Sequence, residues 1–158
     1  VPLGFRPENG EKRRVIALVP KRKPLSILVV EEDLLQQAAL RRMLEADGHR
    51  VVKSCDRHQA APAIRQEAFD LLIIDVLFPG PGTIEAVVER SRAEGPIPSL
   101  GLCRFARILP DYYLLLTAKL GMRVILAKPF DQAQLTEAIA EVFAGPGAWL
   151  DGACSATA

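Results

Sequence analysis

The residues able to do chemistry stand where apolar runs stop. Ser26-Ile27-Leu28-Val29-Val30 leads directly into Glu31, Glu32 and Asp33. Leu71-Leu72-Ile73-Ile74 leads into Asp75, the run from Ile97 ends at Cys103, and Met122–Ala127 leads into Lys128. Adjacent carboxylates cannot be buried without strong compensation, so they belong at the exposed ends of these runs. In open parallel α/β sheets, ligands bind outside the carboxyl ends of the strands. Glu31, Glu32, Asp75 and Lys128 at one such edge make a candidate charged site, with Cys103 beside them.

The elements that must position these groups follow from the pattern. Four apolar residues in a row, two of them valines, suit a central strand covered on both faces. Ser26–Glu31 is expected as strand one. Asp33 then caps a helix through Leu34, Leu35, Ala38, Ala39, Met43 and Leu44, closed by Gly48. His49–Cys55 is strand two, and residues 57–68 are a helix with Pro62 near its start. Leu71–Asp75 is strand three, Pro79-Gly80-Pro81-Gly82 a loop, and Ile84–Arg92 a helix. Ile97–Cys103 is strand four, Pro110 opens the next helix before Gly121, and Met122–Ala127 is strand five. Asp131 and Gln134 form a capping box for a last helix through Phe143. Strands alternating with helices imply right-handed crossovers and a single doubly wound parallel α/β sheet of five strands with five helices.

Composition bounds the rest. The 158 residues are 49% hydrophobic and 25% charged, the make-up of an ordinary globular domain. Residues 1–25 carry seven Lys and Arg against two Glu, a net +5; with +1 overall, the remainder is −4. A basic N-terminal extension (1–25), a body (26–144) and a loose tail (145–158) are expected. Val15–Val19 is the one apolar run in the extension, whose first 20 residues are expected to add little to the core. The overall charge gives no case for binding nucleic acid or membrane. Cys55, Cys103 and Cys154 are odd in number and lack metal-ligand spacing, which fits a cytoplasmic protein without a disulfide framework. His49 and His58 lack such spacing too.

Three stretches together resemble the receiver domain of two-component response regulators: Ile27–Glu32, Leu71–Asp75 with Pro79-Gly80, and Ala127-Lys128-Pro129-Phe130. The resemblance covers Ile27 to about Phe143. It implies a flavodoxin-like, CheY-like fold with strand order 2-1-3-4-5. It makes Asp75 the phosphoryl acceptor, with a histidine kinase or phosphotransfer protein as donor. Glu31 and Glu32 match the acidic pair that holds Mg²⁺ with Asp75 and a main-chain carbonyl, that of Leu77. Lys128 would contact the phosphoryl oxygens, and the Lys128-Pro129 bond would be cis. Output would pass to a partner through the face of helix four, strand five and helix five; a homodimer is left open. Self-catalysed phosphotransfer is the only catalysis implied.

The chain also departs from the family. Glu32 stands where aspartate is usual and is one methylene longer. Cys103 replaces the hydroxyl residue at the end of strand four and is a weak donor. Ile125 replaces the aromatic switch residue, Gly82-Thr83 replaces Asp-Gly, and the connection after Arg104 is long. These changes favour weakened phosphorylation and raise an alternative, a pseudo-receiver that binds partners without it. A Mg²⁺-dependent phosphatase or hydrolase would need a general acid two residues after Asp75, where the chain has Leu77.

Overall fold

A computed structural model describes residues 23–77, 79–104 and 110–144. The expectations for residues 1–22, for the tail from residue 145 and for the 105–109 connection lie outside the described residues. Ten elements alternate along the chain: β1 (Ser26–Val30), α1 (Leu34–Ala46), β2 (Arg50–Cys55), α2 (Ala60–Gln66), β3 (Leu71–Asp75), α3 (Thr83–Glu94), β4 (Ser99–Cys103), α4 (Pro110–Leu120), β5 (Val124–Ala127) and α5 (Gln132–Phe143). The five strands form one sheet in the order β2-β1-β3-β4-β5, every pair parallel.

Strand periodicity divides the core into two layers. Leu28, Val30, Leu72 and Ile74 join Ala61, Ile64, Val87 and Leu116, brought by α2, α3 and α4. Ile27, Val29, Leu71 and Ile73 face the other way, onto Leu40, Leu44, Leu135 and Ile139 of α1 and α5. A strand covered on both faces reads as an unbroken apolar run, which is why β1 and β3 stand out in the sequence.

The helix ends follow local chemistry. Asp33 caps α1 by accepting from the N–H groups of Leu35 and Gln36, at 2.8 and 3.2 Å. Those two bonds hold its carboxyl below the usual aspartate range. Asp131 and Gln134 form the expected capping box on α5. In α1 the spacing argument overreaches: Leu34 and Leu35 are 76% and 82% exposed. The apolar face of that helix consists of Leu40 and Leu44, with Met43 half-buried.

The start of α2 also differs, at Ala60 rather than residue 57. Asp56 accepts from the N–H groups of His58 (2.8 Å) and Gln59 (3.0 Å), a local turn that competes with helix. This leaves Arg57 in the loop at the carboxyl edge of the sheet. Pro62 lies in the first turn of α2, where its missing N–H loses no helical bond. β4 begins at Ser99 because Pro96 and Pro98 precede it without N–H groups to donate to a ladder.

Candidate functional site at the carboxyl edge of the sheet

Register brings the charged residues together. Val30 pairs with Ile74, so the next residues, Glu31 and Asp75, leave neighbouring strands side by side. Cys103 pairs with Ala127, and the N–H of Lys128 donates to the Cys103 carbonyl at 2.8 Å. β4 thus lies between β5 and β3, and the four-carbon stem of Lys128 spans it. Its Nζ reaches Glu31 Oε2 at 2.5 Å and Asp75 Oδ2 at 3.1 Å. The peptide bond from Lys128 to Pro129 is cis.

The three side chains are largely withdrawn from water: Glu31 is 4% exposed, Lys128 9% and Asp75 18%. Each carboxylate has a further donor. Glu31 Oε1 accepts from the Asp33 N–H at 3.1 Å, and Asp75 Oδ1 from the Leu77 N–H at 2.9 Å. Two carboxylates around one ammonium leave a net negative pocket, in which Asp75 keeps the more open position. A carboxylate at the open edge beside a cation is a nucleophile placed against a charge that attracts anionic oxygens.

Glu32 goes elsewhere. It is more than half exposed, and its Oε2 lies 3.3 Å from Nε of Arg57. This is an ion pair by distance; the Nε–H, buried, is not aligned for a hydrogen bond. Arg57 is fixed from behind by the β3–α3 loop. Gly80, at φ 88°, packs so closely that a Cβ there would sit 2.0 Å from the Arg57 carbonyl oxygen. Only glycine fits.

The fit to Mg²⁺ is poor. Among the described residues, no group of three or more Asp, Glu, His or Cys side chains is gathered tightly enough to hold an ion. Lys128 lies between Glu31 and Asp75, and Glu32 is turned to Arg57. As placed, Glu31, Glu32, Asp75 and Leu77 do not form the oxygen shell that Mg²⁺ needs. The spacing of these residues in sequence showed a shared edge that includes Lys128, and not Arg57, which already pairs with Glu32.

Two residues at this edge are absent from the candidate set read from the sequence. Arg57 was hidden inside an expected helix; its signal is Asp56, a residue type that turns the chain before a helix. The other is Tyr112, in the first turn of α4. Its hydroxyl donates to the carbonyl of Val76, the residue after the acceptor candidate. Burial raises its pKa, and the nearby Asp75 and Cys103 add to the shift. Cys103, as expected, ends β4; it is buried in the same layer as Val76, with Tyr112 and Ile125 packed against that layer.

Residues 27–140 match the family model described as the response regulator receiver domain. The chain belongs to this family. The receiver is 33% identical over 120 residues to the sensor histidine kinase AruS of Pseudomonas aeruginosa, covering 75% of this chain and 12% of that protein. It is 28% identical over 123 residues to the transcriptional regulatory protein ZraR of Salmonella typhimurium, covering 78% and 27%. The chain therefore spans only a fraction of the length of these relatives. Among solved structures, a CheY-like receiver domain protein from Methanospirillum hungatei JF-1 superposes with a TM-score of 0.61 at 19% identity, covering 75% of this chain and 93% of that one. A CheX–CheY–BeF3–Mg complex from Borrelia burgdorferi gives a TM-score of 0.65 at 15% identity, covering 77% and 91%. The shared fold is the five-stranded CheY-like sheet of a signalling domain. Among the described residues, no helix of the receiver is long and apolar enough to cross a membrane.

Proposed function

We propose that this receiver accepts a phosphoryl group on Asp75 from a phosphohistidine and changes its partner binding in response. The observation that carries this reading is the contact of Lys128 Nζ with Asp75 Oδ2 at the open edge of the sheet. A carboxylate oxygen of Asp75 attacks phosphorus, the P–N bond to the donor imidazole breaks, and the imidazole leaves with the electron pair and takes up a proton. Lys128, freed from part of its contact with Asp75, neutralises the incoming phosphoryl oxygens as a point charge. Cys103 stands at the usual hydroxyl position, where a thiol offers only a weak donor.

The donor is a histidine kinase or a phosphotransfer protein, and the rim of the site suits it. Leu34 and Leu35 lie exposed at the start of α1, next to the acidic edge. A cavity of about 620 Å³ opens between α1 and the turn after β5, lined by Leu40, Met43, Arg104, Lys128 and Phe130. Mg²⁺ is proposed as a weak ligand, because Glu32 must first leave Arg57. The protein that receives the signal binds the α4–β5–α5 face, in the cytoplasm. The pairing of Glu32 with Arg57 favours one second reading, a phosphorylation-independent interaction module.

Incubating the purified protein with acetyl phosphate and Mg²⁺ and measuring intact mass separates the two. Addition of one phosphoryl group in the wild type and none in Asp75→Asn is the expected result. No addition in the wild type, with partner binding retained, establishes the interaction module instead.

A further inference from the structure

Tyr112 makes a contact that packing alone does not demand. A tyrosine in the first turn of α4 has solvent within reach, yet its hydroxyl is directed inward to the Val76 carbonyl, in the loop that leaves Asp75. The approach depends on β4. Gly101 faces Val76, Met122 and Ile125, and a Cβ there would sit 2.6 Å from Val76 Cγ1 and 2.7 Å from the Met122 sulfur. The missing side chain lets Val76 lie flat on the sheet, one residue from the acceptor. Ile125, half-buried on the same layer, carries no group that can hydrogen-bond. Cys103 offers only a weak donor. Among the described side chains packed against this layer, the Tyr112 hydroxyl is the strong donor linking α4 to the loop after Asp75.

We infer that Tyr112 is the coupling residue of this receiver: its hydroxyl ties the acceptor loop to α4, so that a change at residue 75 moves α4. The carbonyl that accepts from the Tyr112 hydroxyl belongs to the Val76–Leu77 peptide, and the N–H of that same peptide is held by Asp75 Oδ1 at 2.9 Å. A charge gained or lost on that carboxyl alters its hold on residues 76 and 77, and the Val76 carbonyl moves with them. A hydrogen bond to that carbonyl passes the shift to the first turn of α4. Coupling of this kind is reciprocal in equilibrium free energy, so a partner seated on α4 shifts the phosphorylation equilibrium at Asp75 in turn. Tyr112 acts here as a positioning residue, and this role rests on and deepens the proposed output through α4.

Amide resonances of residues 111–120 in the full-length protein provide the test. Asp75→Asn removes the acceptor charge without any phosphoryl transfer, so coupling is measured even if the receiver takes up no phosphate. In the Tyr112 background this substitution is expected to shift α4 amides; in Tyr112→Phe, which keeps the ring and loses only the hydroxyl, the same shifts should fall by about threefold or more. Equal shifts in both backgrounds, or none in the first, overturn the inference. Fluorotyrosine at position 112 gives a second reading that keeps the hydroxyl in place. Its fluorine signal should move between the wild type and the Asp75→Asn variant, and a fixed signal counts against the coupling. Intact mass after acetyl phosphate treatment, run on the same samples, reports acceptor function separately.

Discussion

Glu31 and Glu32 are neighbours in sequence with the same functional group, yet the fold sends them to different partners in different media. Glu31 turns into the sheet edge and meets Lys128 with 4% of its side chain exposed. Glu32 turns outward and meets Arg57 at the partly exposed rim. The inner pair lies where a lost partner leaves a charge in low dielectric; the outer pair lies where solvent replaces any partner at little loss. The receiver thus has an inner half fixed by burial and a rim set by weak, exchangeable contacts.

The largest effect should come from the inner half. Replacing Lys128 with Met leaves Glu31 and Asp75 facing each other without a cation, and losses of about 3–5 kcal/mol are typical of breaking a buried pair. Urea unfolding should show the midpoint falling sharply with little change in slope. A loss under about 1 kcal/mol would place the pair in the same class as the rim contacts.

The next effect sharpens the comparison at the acceptor. Under the proposed phosphotransfer, Cys103→Thr supplies a hydroxyl that can donate to a phosphoryl oxygen on Asp75, and a hydrogen bond to a charged group contributes about 1.5–3 kcal/mol when fully formed. Together with Glu32→Asp, it should raise the phosphorylated fraction seen by intact mass. A wild type that is already fully modified would show that Cys103 and Glu32 are harmless departures.

These expectations also mark how far the sequence could be read. β1 and β3 were legible because strands buried on both faces leave unbroken apolar runs, and the parallel register then places Glu31 beside Asp75. The reach of Lys128 across β4 needed only the order of the strands. What stayed hidden depends on contacts between loops. Arg57 emerges from the helical pattern only because the Asp56 turn delays α2 by three residues, and because Gly80 presses on its backbone. Tyr112 sits in an apolar stretch of α4 that reads as core, and no periodicity tells which way a single hydroxyl points. Leu34 and Leu35 fit the helical spacing yet lie exposed in the first turn of α1.

Alkaline pH probes the same division through the core behind the site. Burial pushes the Cys55 thiol up to about 11 from 9.0. Tyr112 is raised in the same direction. Both groups are neutral when protonated, so for Cys55 between 9.0 and about 11 the unfolded chain releases a proton that the folded chain keeps. The stability from burying the Cys55 thiol is complete below pH 9.0 and falls as pH rises toward 11, and Tyr112 adds a loss of the same sign above its ordinary 10.0. Melting temperature should therefore decline across that window, and a Cys55→Ala variant should decline less steeply. Identical slopes would mean that the thiol is not shielded from solvent in the folded state.

The smallest effect on stability, and the most direct test of the rim, is Arg57→Ala. The Glu32–Arg57 pair is partly exposed, and pairs of this kind contribute about 0–1 kcal/mol. Unfolding should barely change, in contrast to Lys128→Met. Metal binding should change in the opposite sense to what loss of a contact would suggest. Glu32 released from Arg57 is free to turn toward Asp75, and removing one positive charge from the rim lowers the local repulsion of a divalent cation. Titration with Mg²⁺, followed by amide shifts of Glu32 and Asp75, should show tighter binding in Arg57→Ala than in the wild type. Arg57→Lys, which keeps the charge, should stay near the wild-type affinity. If Arg57→Ala binds Mg²⁺ no better, then Glu32 is kept from the site by the length of its own side chain rather than by its partner. Glu32→Asp in the Arg57→Ala background would then be the variant that gains affinity.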